Sequence, residues 1–163
     1  MKIHNCRGFP ITVYGGMFNH SAYLLQFTEA NEEQALYFDG QSPSHHSIAF
    51  ESGVLDAESG FSLMPGTLIL KEAGIYALDY TLCLAAGGDM ECRVSVYADG
   101  VLLLNSMSVQ QLSANTPMMF SRRTYYPLNA GARIQLMLHT KKAGLLMVGA
   151  KMSELLAEKL ADL

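Results

Sequence analysis

The sequence predicts an all-β fold, an antiparallel sandwich, on three observations. Residues 75–84 alternate apolar and small or polar side chains for a full strand, turn signals recur at short intervals along the chain, and no helical pattern of about 10 residues separates them. Within the first of these, Tyr76, Leu78, Tyr80, Leu82 and Leu84 fall on one side of a pleated strand, and Ala77, Asp79, Thr81 and Cys83 on the other. One side is therefore buried.

The strands follow in order. Thr12–Phe18, Ala22–Phe27 and Ala35–Phe38 precede Asp39-Gly40, and Ser47–Glu51 and Gly60–Met64 lead to Pro65-Gly66. Thr67–Leu70 and Ile75–Leu84 are two strand-like runs hinged at Lys71–Gly74. Glu91–Tyr97 and Val101–Ser106 flank Asp99-Gly100, whose residue types suit the two positive φ values of a type I′ turn, so a tight hairpin is expected there. Met118–Tyr126, Arg133–His139 and Leu145–Met152 complete the set. About ten strands at this spacing make a sandwich or jelly roll.

A second hairpin is expected between Ile75–Leu84 and Glu91–Tyr97. Matching their apolar sides places Cys92 with Val94 and Val96 and leaves Cys83 on the opposite face, so no Cys83–Cys92 disulfide forms. At the C-terminus, Leu156, Leu160 and Leu163 fit one helical face; a last strand running past Met152 into a frayed tail is the alternative. The expected division is an N-terminal segment over 1–11, disordered or an interface arm, one domain over 12–153, and a tail over 154–163.

With 163 residues the chain suits one domain. Half of it (50%) is hydrophobic and only 16% charged, a composition that leaves apolar surface over, which oligomerisation normally covers. A net charge of -4 gives no electrostatic reason to expect nucleic acid, and the Arg122-Arg123 and Lys141-Lys142 doublets are too short to supply one. No stretch has the length and apolarity of a secretory signal or a membrane span, so membrane insertion is not expected. Cys6, Cys83 and Cys92, an odd set at unrelated spacings, read as free thiols.

Four segments together resemble a known family. Lys71-Glu72-Ala73-Gly74-Ile75-Tyr76-Ala77-Leu78-Asp79-Tyr80 is similar to the Gly-x-Tyr-x-x-x-Tyr strand of the tumour-necrosis-factor (TNF) and complement-q globular jelly rolls. Val94–Leu102 resembles the family's Asn-Gly hairpin, Leu128–Leu136 its Leu-x-x-Gly-Asp-x-Ile-x-Leu strand entry, and Leu145–Met152 its closing strand. Tyr14-Gly15-Gly16-Met17-Phe18-Asn19 resembles the opening strand of a bacterial branch, the C-terminal heads of collagen-like exosporium (spore-surface) glycoproteins. The likeness covers Tyr14–Met152. It departs from the family at Ala132, where an Asp is usual, and the sequence carries no Gly-X-Y repeat.

The resemblance implies a ten-stranded antiparallel jelly-roll sandwich that assembles as a homotrimer through apolar faces. Tyr76, Tyr80, Phe120, Tyr125 and Tyr126 are then candidates for core or trimer interface, with core the expected role of each.

Chemistry has weaker support. His45-His46 followed by Glu51 lacks the His-x-His spacing and the later block of a cupin metal site, and adjacent strand residues point to opposite faces. His4 and Cys6 suit a flexible terminus better than a shared metal. No Gly-x-Ser-x-Gly elbow or phosphate-cradling glycine loop is present. Asp79, Asp89, Glu91 and Asp99 are the carboxylates to consider for calcium, with water-facing surface acids the simpler account. The expectation is a protein that is not an enzyme and needs no cofactor: a structural module of a bacterial spore or cell surface, reached without a secretory signal peptide or assembled in the cytoplasm. The alternatives are a head, including a phage fibre tip, that binds carbohydrate or protein through the polar loops Asp39–His46 and Asn105–Pro117, and, least supported, a small metalloenzyme.

Overall fold

A computed structural model describes residues 13–38, 40–42, 50–52, 55–56, 60–61, 66–70, 72–150 and 153–163. The strands are β1 (Val13–Phe18), β2 (Tyr23–Phe27), β3 (Glu32–Ala35), β4 (Gly40–Ser42), β5 (Phe50–Ser52), β6 (Leu55–Asp56), β7 (Gly60–Phe61) and β8 (Thr67–Leu70). They continue as β9 (Gly74–Ala86), β10 (Met90–Ala98), β11 (Val101–Leu102), β12 (Ser108–Leu112), β13 (Met118–Leu128), β14 (Arg133–Thr140), β15 (Gly144–Val148) and β16 (Glu154–Ala161). One 3-10 turn, Leu104–Ser106, lies between β11 and β12.

Two antiparallel sheets of seven strands each face one another, with β6 and β7 as a separate ribbon. In the first sheet β13 runs along one edge of β9. The other edge of β9 is shared: Ile75–Thr81 pairs with β16 and Leu84–Ala86 with β15. Beyond β16 come β1 and β4, and beyond β15 comes β2. The second sheet has β14 and β10 at its centre, with β8, β5 and β3 on one side and β11 and β12 on the other. The expected jelly-roll sandwich is present, and its strand number exceeds ten partly because β15/β16 run as two pieces beside one long β9 and β1/β2 as two pieces beyond them.

The core follows from the alternation. Tyr76, Leu78, Tyr80, Leu82 and Leu84 of β9 are buried, as are Cys92, Val94 and Val96 of β10 and Ile134, Leu136 and Leu138 of β14. At about 25 cal/mol per Å² of apolar surface, such rows dominate folding. Tyr80 keeps its hydroxyl inside by donating to the Ser106 carbonyl at 2.7 Å, and burial pushes its pKa up to about 12, so it remains a neutral donor. Ser106, also buried, accepts from the Val96 N–H at 2.7 Å and donates to the Leu103 carbonyl at 2.6 Å, which fixes the 3-10 turn to β10.

The hairpin at Asp99-Gly100 forms as expected, with φ of 50° and 78° and Ala98 opposite Val101. Three expectations need correction. Ile75–Leu84 and Glu91–Tyr97 do not form a hairpin, because the chain crosses between the sheets at Gly87–Asp89 and the two strands face each other through the core. The cysteine outcome nonetheless holds: Cys92 is inside, Cys83 outside, and both are free thiols. The segment expected to be a tail is β16, held between β9 and β1, and the helix favoured by its composition does not form, since two ladders outweigh a short local propensity. Part of the loop Asn105–Pro117 is strand, with β12 paired to β10. Residues 1–11 and His45-His46 lie outside the described residues.

Side chains close the sandwich at two places where the sheets meet. Where β2 and β3 meet, the Tyr23 hydroxyl donates to Tyr37 O (2.9 Å) and accepts from Tyr37 N–H (3.0 Å), while Gln34 Nε2 donates to Gln26 O (2.7 Å). Where β12 and β13 meet, Gln110 Nε2 donates to Met119 O (2.8 Å) and Arg122 Nε to Asn105 O (2.8 Å).

Gly66 separates two effects of a positive φ. Its φ is 80° and a Cβ there would lie 2.1 Å from the Leu36 carbonyl oxygen, whereas Gly100, at 78°, has open space around it. Gly100→Ala is expected to cost about 1 kcal/mol from the left-handed backbone alone. Gly66→Ala is expected to cost about 3 kcal/mol or more, because the packed Leu36 backbone must also move. Denaturant midpoints of the two variants check the order; equal shifts would remove the packing argument.

Candidate assembly interface

The outward side of the first sheet is made of alternate residues of β13, β9, β16, β15 and β2. Register places Met119 opposite Cys83, Arg123 opposite Asp79 and Tyr125 opposite Ala77. On the other edge of β9, Ala85 lies opposite Met147, and Met147 opposite Leu24. One end of this side is apolar: Leu24 is 61% exposed, Leu145 and Met147 47% each, and Met119 40%. Cys83 and Ala85 lie among them, half-buried. Exposed apolar side chains gathered in cross-strand rows make this end a candidate contact surface.

The other end carries Tyr125, 57% exposed, and a closed set of charges. The Arg123 guanidinium pairs with Asp79 Oδ2, lies 3.5 Å from Glu158 Oε2 and donates through Nε to the Tyr125 hydroxyl at 3.0 Å. Its charge also stands 5.4 Å from the centre of the Tyr125 ring. Burial raises the pKa of Asp79, while the Arg123 charge and hydrogen bond pull it back and Glu158 adds to the rise. The Tyr125 hydrogen bond and then the Asp79 charge raise the pKa of Arg123. One arginine thus serves two acids and a phenol within the chain.

The outward side of the second sheet differs in kind. Glu33 accepts from the Tyr97 hydroxyl at 2.7 Å and from Arg93 Nη2 at 3.1 Å. His139, between them in register, has its pKa lowered by burial and then by the Arg93 charge. Lys141 pairs with Glu91 at 3.7 Å.

Of the five aromatic candidates, Tyr76, Tyr80 and Phe120 are fully buried and Tyr126 is partly buried against the core. Tyr125 departs from the expected core role, because it is adjacent to Tyr126 on a strand and must face the other way. Leu24, Met119, Leu145 and Met147 were not singled out in the sequence; their parity along the strands is the signal that finds them once the sheet is known.

The carboxylates considered for calcium are engaged separately. Asp79 holds Arg123, Glu91 meets Lys141, Asp89 Oδ1 accepts from Ala114 N–H at 2.8 Å, and Asp99 Oδ1 accepts from Arg133 N–H at 2.9 Å. Among the described residues, no three or more His, Cys, Asp or Glu side chains come together as a metal site. Burial pushes the Cys92 thiol up to about 12, which leaves it protonated and unreactive at neutral pH. Among the same residues no helix is long and apolar enough to cross a membrane.

No protein-family model and no curated protein matches the sequence. Solved structures do match in fold. Murine APRIL, in a crystal structure at pH 5.0, superposes with a TM-score of 0.62 at 12% identity, covering 92% of this chain and all (100%) of that one. Eiger TNF from S. frugiperda gives 0.56 at 12% identity, covering 94% of each chain. The globular domain of zebrafish complement 1qA gives 0.54 at 11% identity, covering 94% of this chain and 100% of that one. The chain therefore has the jelly-roll fold of the TNF and complement-q globular domains. The likeness to the bacterial exosporium branch is not among these findings.

A carboxyl whose pKa is raised on folding takes up its proton more readily in the folded state, so its protonation adds stability as pH falls from the raised value toward the ordinary 3.8, and that contribution is absent at neutral pH. Asp79→Asn cannot titrate and lacks this component. Denaturant midpoints measured from pH 7 to pH 4 are expected to shift in favour of the wild type relative to Asp79→Asn on acidification. A shift against the wild type on acidification would show that Arg123, rather than burial, governs Asp79.

Proposed function

We propose that this chain is a non-enzymatic assembly module whose copies form a homotrimer through the outward side of the first sheet. The observation that carries the reading is the concentration of Leu24, Met119, Tyr125, Leu145 and Met147 on that side, against a second sheet whose outward side carries the Arg93–Glu33 and Lys141–Glu91 pairs with Val109 as its exposed large apolar residue on β12. The fold shared with the TNF and complement-q globular domains supports a trimer in preference to other symmetries. The paired state of Arg123 supports it too, since covering that part of the face does not strand its cation.

The finer reading is a structural unit of a bacterial surface layer, the spore coat or exosporium, and it rests on the resemblance of Tyr14–Asn19 to the opening strand of exosporium heads. Labelled antibody on intact spores and cells of the source organism tests that location; signal confined to the soluble cell interior would remove it. A second function, ligand recognition through an exposed loop, is favoured by one observation: Val101 and Leu104 are exposed beside the Asp99-Gly100 hairpin.

Sedimentation at micromolar concentration is expected to show a particle three times the 17.8 kDa chain. Because Leu24 and Met147 are exposed in the single chain, Met147→Glu is expected to leave the strand content unchanged and yield monomers. The loss is on the order of 2 kcal/mol per apolar side chain left uncovered, increased by the cost of burying the new charge. A wild-type chain that sediments as a stable monomer would overturn the proposal.

A further inference from the structure

β1 ends at Phe18 and β2 begins at Tyr23, while β15 ends at Val148 and β16 begins at Glu154. The two interruptions lie side by side, because the Asn19 N–H donates to the Ser153 carbonyl at 3.2 Å. At the same level Gly149 N–H donates to the Cys83 carbonyl at 2.9 Å, and the Cys83 N–H donates to Ser153 Oγ at 3.4 Å. The backbone edge of β9 is thus satisfied across the break, in part by a side chain.

One group is not. Asn19 is 1% exposed, and neither Nδ2 nor Oδ1 of its carboxamide has a hydrogen-bond partner. A carboxamide carries two donors and an acceptor, and burying all of them unmet is costly enough that native proteins rarely do so. Whatever satisfies Asn19 must donate to Oδ1 and accept from Nδ2. A cation fails the second requirement and an anion the first. The occupant is therefore small, neutral and both donor and acceptor. Ser153, fully buried at the same junction, has a hydroxyl proton left to give after Oγ accepts from Cys83.

We propose that one water molecule is bound inside the sandwich at this double break, held by the Asn19 carboxamide with the Ser153 hydroxyl as a further partner. Buried waters of this kind make about three hydrogen bonds and replace the protein groups that an interrupted ladder lacks. The site lies where β1 ends and β16 begins, beside the edge of β9.

The test is water-to-protein cross-relaxation on the isotope-labelled wild-type chain, read at the Asn19 side-chain NH₂. A cross-peak with the sign of a long-lived complex is expected, together with an excess in water relaxation dispersion corresponding to one slowly exchanging molecule. Asn19→Leu is expected to abolish that excess, and Ser153→Ala to shorten the residence time at least several-fold. If the wild-type NH₂ shows no cross-peak, or the excess is unchanged in folded Asn19→Leu, the proposal is wrong. Should Asn19→Leu fail to fold, the wild-type cross-peak and Ser153→Ala decide the question.

Discussion

The burial of the Tyr76–Ala86 row of β9 constrains the rest of the molecule. That row is apolar on one side only, so it needs a second sheet across from it, and Cys92, Val94 and Val96 of β10 with Leu136 and Leu138 of β14 provide one. Its backbone needs partners along both edges. β13 satisfies one edge nearly end to end, and on the other no single strand is long and straight enough, so β15 and β16 divide it. The end of β15 at Val148, the start of β16 at Glu154, the matching division of β1 and β2, and the placement of Asn19 accompany the length of this one strand.

How far the fold was legible depended on what a period of two can say. It says which residues of a strand share a side, and that was enough for β9, β10 and β14, and for the separate fates of Cys83 and Cys92. It does not say which strand lies next door. Ile75–Leu84 and Glu91–Tyr97 were therefore expected to pair, whereas they belong to different sheets and meet only through their side chains. β12 was missed because Ser108-Val109-Gln110-Gln111-Leu112 presents a single strongly apolar residue to the inside, whereas a strand past Met152 stood as the alternative to a helix because Glu154–Ala161 is rich in helix formers.

The candidate surface was less legible than the core for a related reason. Tyr125 and Tyr126 are adjacent, so the sequence alone forbids both from facing the interior of the same strand. Recognising Leu24, Met147 and Met119 as members of one surface required knowing that β2, β15, β9 and β13 lie in one sheet, which depends on pairings between residues far apart in the chain. Arg123 illustrates the same limit: its partners Asp79 and Glu158 come from two other strands, and no local spacing announces them.

The side chains of Tyr23, Gln34, Gln110 and Arg122 occupy main-chain groups where the sheets come together. Open strand borders are where foreign segments add to a sheet or where sister molecules exchange pieces of themselves. With these borders occupied, a strand offered from outside finds few free main-chain groups at these two places, and lending out a strand would first have to break bonds the chain already makes there.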